Sequence, residues 1–247
     1  MKGNIEAFNK YASQFDLSIK MIKYKYNHSF RVQKQAEEIC KSLKLNNDDT
    51  YLASNIALLH DIARFRQWEK YKTFKDKDSF DHGDEGCKIL FEEKEIENYD
   101  IDKKDYEIVK NAIYYHNKYK IDLDKLNERE ILHSKIVRDA DKIDILYAFS
   151  TNRILELKED DEKINPVITK DFFNHKEILN SDVKTKNDMI ISMFAQCFDF
   201  NYLYSKKRVY VKNYIGKMFS HLKNKELFKP YVDETIKYLE GEIKNAR

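Results

Sequence analysis

Glycine and proline are scarce: 5 Gly and 2 Pro in 247 residues, where average usage gives roughly 17 and 12. Those two residues supply most hairpin turns, strand bulges and cis bends. Their scarcity excludes sandwiches, barrels and propellers, and no Gly-rich phosphate loop of the GxGxxG or GxxxxGKS/T kind is present. An excess of one charge is also missing. The 45 basic and 43 acidic side chains leave a formal net charge of +2 with the signs interleaved. No basic face stands out, so duplex nucleic acid is not expected as a partner. No apolar run approaches the ~18 residues of a membrane helix, and Met1 to Asn9 carries no apolar leader core, so no membrane partner is expected. Cys40, Cys87 and Cys197 are odd in number and unrelated in spacing. They read as buried thiols of a reducing, cytoplasmic compartment, neither a disulfide framework nor a zinc site.

What is present fits long helices. Hydrophobic residues make up 42% and aromatic ones 13%, enough for a sizeable core. The expectation is an all-α protein, one globular domain over 1–247, with a C-terminal helical extension over about 167–247. Helical spacing puts a short helix around Ile5, Phe8, Ala12 and Phe15, and a long one from about Leu17 to Leu45 whose stripe is Val32, Ala36, Ile39 and Leu43. Asn47-Asp48-Asp49 starts a third, running to about Ala63. The polar, aromatic stretch from Arg64 to Asp81 has no clear period and reads as an irregular connection. Further helices are expected over His82–Glu93, Asp102–Asn117, Glu128–Phe149, Asp171–Asn180, Thr185–Phe198, Tyr202–Leu222 and Glu226–Lys244. The break near Glu159–Pro166 is the best candidate for a subdomain boundary.

One pair interrupts the third helix where apolar residues should continue: Leu59-His60-Asp61-Ile62. By chance a chain with this composition holds about 0.6 His-Asp pairs, so the placement is the signal. A carboxylate among Ala, Ile and Leu is costly to bury unless it is paired or bound to a cation. Other candidates also fall on apolar faces. His28 lies in line with Val32 and Ala36, His116 one turn beyond Ala112 and Ile113, and His82 at a helix start. A later helix holds Asp139, Asp141 and Asp144. Taken singly, each histidine reads as an ordinary hydrogen-bonded core residue. Taken together, imidazoles and carboxylates at convergent positions are ligand chemistry for Fe, Mn, Zn or similar ions.

In these residues the sequence resembles the HD-domain metal-dependent phosphohydrolases, whose pattern is a histidine, an adjacent His-Asp and a distant Asp. The matching segments are His28-Ser29-Phe30-Arg31-Val32, Leu58-Leu59-His60-Asp61-Ile62-Ala63-Arg64 and Val137-Arg138-Asp139-Ala140-Asp141-Lys142-Ile143, within about residues 17–150. Members with a second metal add two histidines, and His82 and His116 stand where those are expected. The resemblance implies one or two divalent transition-metal ions, Fe, Mn, Co, Ni or Zn. One would be held by His28, His60, Asp61 and Asp141, and a second by His82 and His116, with Asp61 bridging. A helical wheel puts Asp139 nearer the Ile136–Ala140–Ile143 stripe than Asp141, while the motif selects Asp141. A water or hydroxide between the metals would be the nucleophile. Asp61 and Arg64 would be the catalytic residues, Arg64 also binding a substrate phosphate, with a surface ion pair as its ordinary alternative.

Ala63 replaces the glycine common after His-Asp-Ile, and no His-His-Glu or Gly-Tyr-Pro signature is present, which argues against the cyclic-dinucleotide branch. The expected function is hydrolysis of a phosphate ester or anhydride on a small, nucleotide-like molecule. Phe65, Trp68, Tyr71 and Phe74 are candidates to stack a base or cover the site. Two alternatives share the pattern: a mixed-valence di-iron oxygenase, and a non-catalytic helical module that keeps the ion for structure.

Overall fold

The computed structural model describes residues 2–153 and 155–246; Met1, Ile154 and Arg247 lie outside the described residues. Every regular element among them is helical. The chain folds as two compact units, Met1–Asp141 and Lys142–Arg247.

In the first unit, α1 (Lys2–Ala12) packs its Phe8, Tyr11 and Ala12 into the core. Asn4, also buried, ties α1 to α3 through Asn55 Oδ1 (2.7 Å), and its own Oδ1 accepts from the Asp100 amide at 2.6 Å. α2 (Lys20–Leu43) and α3 (Asn47–Leu59) are joined by three residues. Lys44 takes the left-handed conformation (φ 56°) that ends α2, and Asn46 caps α3 by accepting from the Asp49 amide at 2.8 Å. Gln33 reaches Ser54, and Ser54 reaches Glu37, so the middle of α2 lies beside the middle of α3.

α4 (Ala63–Tyr71) occupies the first half of the stretch expected to be irregular. No apolar stripe is visible there because its inward positions are shared between Phe65, wholly buried against Phe8 and Phe15, and the polar Gln67. Lys72, again left-handed, stops it. α5 (His82–Cys87), α6 (Tyr106–Tyr115) and α7 (Glu128–Thr151) follow. α7 starts in a capping box: Asn127 Oδ1 accepts from the Arg129 and Glu130 amides, and Glu130 Oε2 accepts from the Asn127 amide.

In the second unit, α8 spans Pro166–Phe173, not Asp171–Asn180. Asn165 caps it and Pro166 sits at the first position, where a missing N–H costs nothing. α9 (Lys186–Ala195) opens with a Thr185–Asp188 capping box. The expected helix over Tyr202–Leu222 is two, α10 (Leu203–Val211) and α11 (Tyr214–His221), because Asn213 turns left-handed between them (φ 51°). α12 (Lys225–Asn245) closes the chain. The basic run Lys206-Lys207-Arg208 lies on α10, where Lys206 pairs with Glu242 of α12. No helix among the described residues is long and apolar enough to cross a membrane.

Candidate metal centre

The His60-Asp61 pair sits between helices. α3 gives way at His60 to a tight turn in which the Ile62 amide donates to Leu59 O and the Arg64 amide to Asp61 O, both three residues back. The last carbonyls of a helix lack amide partners, and His60 Nδ1 donates to one of them, Ala57 O, at 2.7 Å. α6 ends the same way: His116 follows its last residue and its Nδ1 donates to Ile113 O at 2.6 Å. A carbonyl only accepts, so both rings carry their proton on Nδ1 and present a bare Nε2. Both also stand at helix C-termini, where the backbone dipole favours a cation.

The remaining predicted residues reach the same place from separate elements. His28 is mid-α2, wholly buried, and its Nε2 lies 3.1 Å from Asp141 Oδ1 of α7 and 3.3 Å from Asp61 Oδ2. His60 Nε2 lies 3.6 Å from Asp141 Oδ1 and 3.5 Å from Asp61 Oδ2. The other oxygen of Asp61 faces the second pair: Oδ1 is 3.6 Å from His82 Nε2 and 3.7 Å from His116 Nε2. Those two nitrogens are 3.0 Å apart. His28, His60, Asp61, His82, His116 and Asp141 are thus brought together, with Asp61 between two histidine pairs. Asp139, fully buried, belongs to none of the groups whose ligand atoms lie close enough together to hold an ion.

His82 is the first residue of α5, whose cap is Asp81: its Oδ1 accepts from the Gly83 and Asp84 amides. α5 must approach the end of α6 closely. A Cβ at Gly83 would meet Asn117 Oδ1 at 2.5 Å and Tyr114 O at 3.0 Å, so glycine is required by its close neighbours. Arg138 of α7 secures that end of α6 by donating to the Tyr115 and Lys118 carbonyls.

Four partners were not legible in the sequence. Lys25, one turn before His28, places its Nζ 2.5 Å from Asp61 Oδ2. Asp76 accepts from His82 Nδ1 at 2.6 Å, which fixes that ring with its Nε2 bare as well. Gln67 Nε2 donates to Asp76 Oδ1 at 3.0 Å, and Asn117 Nδ2 donates to Asp81 Oδ1 at 2.9 Å. Arg64 is not a surface ion pair. Its Nη1 donates to Gln67, Phe74 O and Asp76, its Nη2 lies 3.1 Å from His82 Nε2, and its Nε lies 3.4 Å from Asp61 Oδ1. Phe65 is core, so it cannot stack a base; Trp68 and Phe74 pack on each other, as do Tyr71 and Phe80.

Burial holds the His60 and His82 rings neutral, His82 pushed down to about 3 by desolvation and by the charge of Arg64. Burial alone would raise the Asp61 carboxyl, but the Lys25 ammonium holds it well below the usual carboxylate range. Against the same desolvation, His28 holds Asp141 well below it. Asp76 is likewise lowered, burial being outweighed by His82 and Arg64.

This donor set fits divalent ions. His60 Nε2 and Asp141 Oδ1 are buried without a hydrogen-bond partner of acceptable geometry, and His82 and His116 aim bare nitrogens at each other. An unpaired buried polar atom costs about 1–3 kcal/mol, and a cation between such atoms removes that penalty. A third cluster, Asp76, Asp81 and His82, is close enough for a ligand set. Its atoms are already engaged in hydrogen bonds with one another and with Arg64, Gln67 and Asn117.

Residues 26–146 match the HD domain. That stretch is therefore an HD domain, the domain of a superfamily of metal-dependent phosphohydrolases. No curated protein and no solved structure matches the chain.

Proposed function

We propose that this protein hydrolyses a phosphate ester or anhydride of a small, nucleotide-like molecule at a two-ion centre. The observation that carries the reading is Asp61, whose oxygens each face a different pair of histidines. His28, His60, Asp61 and Asp141 would hold one ion; His82, His116 and Asp61 would hold the other. When bound, the ions lower the pKa of a water and offset charge on the phosphoryl oxygens.

The protein's own groups do the rest. Backbone carbonyls and Asp76 keep the imidazole protons on Nδ1, so the ligand lone pairs need no deprotonation. Arg64 is held on one side by Gln67, Phe74 O and Asp76, leaving its Nε–Nη2 edge toward the centre. That edge matches two phosphoryl oxygens. The nucleotide-like part of the reading rests on Phe74, whose ring centroid lies 5.6 Å from Arg64 Cζ, and on Trp68 packed against it.

The test is a screen of nucleotides and phosphoesters with Mn, Fe, Co, Ni or Zn loaded without oxygen. Metal-dependent phosphate release is expected. Substrate-dependent oxygen uptake with iron and no phosphate release would replace the hydrolase by an oxygenase. Background turnover throughout would leave only a metal-stabilised helical module.

A further inference from the structure

Lys25 and Arg64 come from different helices, α2 and α4, and approach opposite oxygens of the same carboxylate. Lys25 Nζ is 2.5 Å from Asp61 Oδ2, and Arg64 Nε is 3.4 Å from Asp61 Oδ1. The ring of Phe74 spans both: Lys25 Nζ is 5.3 Å from its centroid and Arg64 Cζ 5.6 Å. The Lys25 side chain is 9% exposed and that of Arg64 12%. A cation that buried needs an anion within reach.

Asp61 cannot serve both cations and two ions at once. With divalent ions on its oxygens, Asp61, Asp141 and Asp76 return less charge than the ions bring, and Lys25 and Arg64 add two positive charges more. The hydroxide that attacks takes one, and a surplus of two remains. A phosphodiester, a monoanion, leaves part of that surplus buried. A terminal phosphate, a dianion, cancels it.

Resting on the hydrolase reading, we infer that Lys25 and Arg64 form a two-cation clamp under Phe74 that selects a dianionic terminal phosphoryl group. The substrate is then a phosphomonoester or terminal phosphate, not a phosphodiester. In the reaction, water adds across the P–O bond: its oxygen joins phosphorus, and its protons are shared between the leaving oxygen and solvent. Lys25 is the residue that the reaction class alone would not single out. It touches substrate oxygen, and Arg64 takes the other side.

Mn-loaded protein is assayed with p-nitrophenyl phosphate and bis(p-nitrophenyl) phosphate, and inorganic phosphate and dimethyl phosphate are titrated calorimetrically. Wild type is expected to bind inorganic phosphate at least 100-fold tighter than dimethyl phosphate. Lys25→Met is expected to weaken phosphate at least tenfold and to raise KM for the monoester by a similar factor. Mn stoichiometry stays unchanged, and Lys25→Arg recovers most of the loss. Equal affinity for the two anions, or a Lys25→Met protein with unaltered phosphate affinity, overturns the clamp. If Lys25→Met does not fold, the comparison of the two anions on wild type decides alone. If neither these esters nor the nucleotides of the screen turn over with any metal, the hydrolase reading falls, while the titrations still judge the clamp.

Discussion

The two histidine pairs that flank Asp61 are held in different ways. His28 and Asp141 stand in the interiors of α2 and α7, each 24 residues long, and His60 is locked to its own helix end. Their positions follow from backbone and core packing. His82 opens a helix of six residues and depends on side chains: Asp81 for the cap, Asp76 for the ring, and Asn117 and Lys118 for the tie to α6. The first pair is part of a scaffold; in the second, His116 is locked to its helix end as His60 is, and His82 is part of a network. Networks of side chains couple their members and fail together.

The harshest test of this contrast removes what the pairs share. Asp61→Ala is expected to lose both ions, with metal affinity down on the order of 100-fold or more, beyond the range for residues that only support a ligand; metal content by mass spectrometry after gel filtration checks it. Asp141→Ala should empty only the His28–His60 side, and Asp139→Asn neither. Metal lost in Asp139→Asn but kept in Asp141→Ala would reverse the choice between these carboxylates.

Next, Asp76→Ala should weaken the ion on the His82–His116 side by roughly 10–100-fold and leave the other unchanged, read from two-step Mn titrations. Equal weakening of both would erase the distinction between scaffold and network. Gly83→Ala should cost about 1–3 kcal/mol of stability through overpacking, because its Cβ would press on Asn117 and Tyr114, and it should loosen the same ion. Thermal unfolding with and without Mn measures both effects.

Acid should discriminate as well. His60 and His82 have lowered values in the folded chain, so below their ordinary value the unfolded chain binds protons that the folded one refuses. Metal-free stability should therefore fall as pH drops below about 6.5, by at most roughly 1.4 kcal/mol per pH unit for each ring. For His82 the loss continues toward pH 3. His82→Gln should flatten part of that slope; an unchanged slope would show that His82 is not held neutral.

The smallest effect is a control outside the centre. Thr185→Ala removes the α9 cap and should cost about 1 kcal/mol with no change in metal binding.

Most of the fold could be read from spacing, because α2, α3, α6 and α7 carry apolar positions at helical intervals. The polar centre was legible because it interrupts those intervals: His60-Asp61 ends a run of Ala, Ile and Leu, and His28 extends a stripe that continues in Val32 and Ala36. α4 was not, since a helix that gives its inner face to one Phe and to Gln67 shows no apolar period. Lys25 and Asp76 were not either. In a chain with 36% charged residues, a lysine and an aspartate look solvated. Only the tertiary fold, which joins Lys25 to Asp61 across 36 positions, sets them apart.

The left-handed helix stops have a consequence for engineering. Lys44, Lys72, Lys94, Asn152, His175 and Asn213 all have positive φ, and no glycine does. A side chain in that conformation costs roughly 1 kcal/mol, and a natural domain's whole margin is about 5–15 kcal/mol. The chain thus carries unused headroom at its hinge points. Glycine at Lys44 or Lys94, far in sequence from the histidines, should raise the melting temperature without touching chemistry, whereas at Lys72 it would slacken the run of residues that brings Phe74 and Asp76 to the centre. What looks like a compositional shortage is a map of where this protein can be hardened and where it should be left alone.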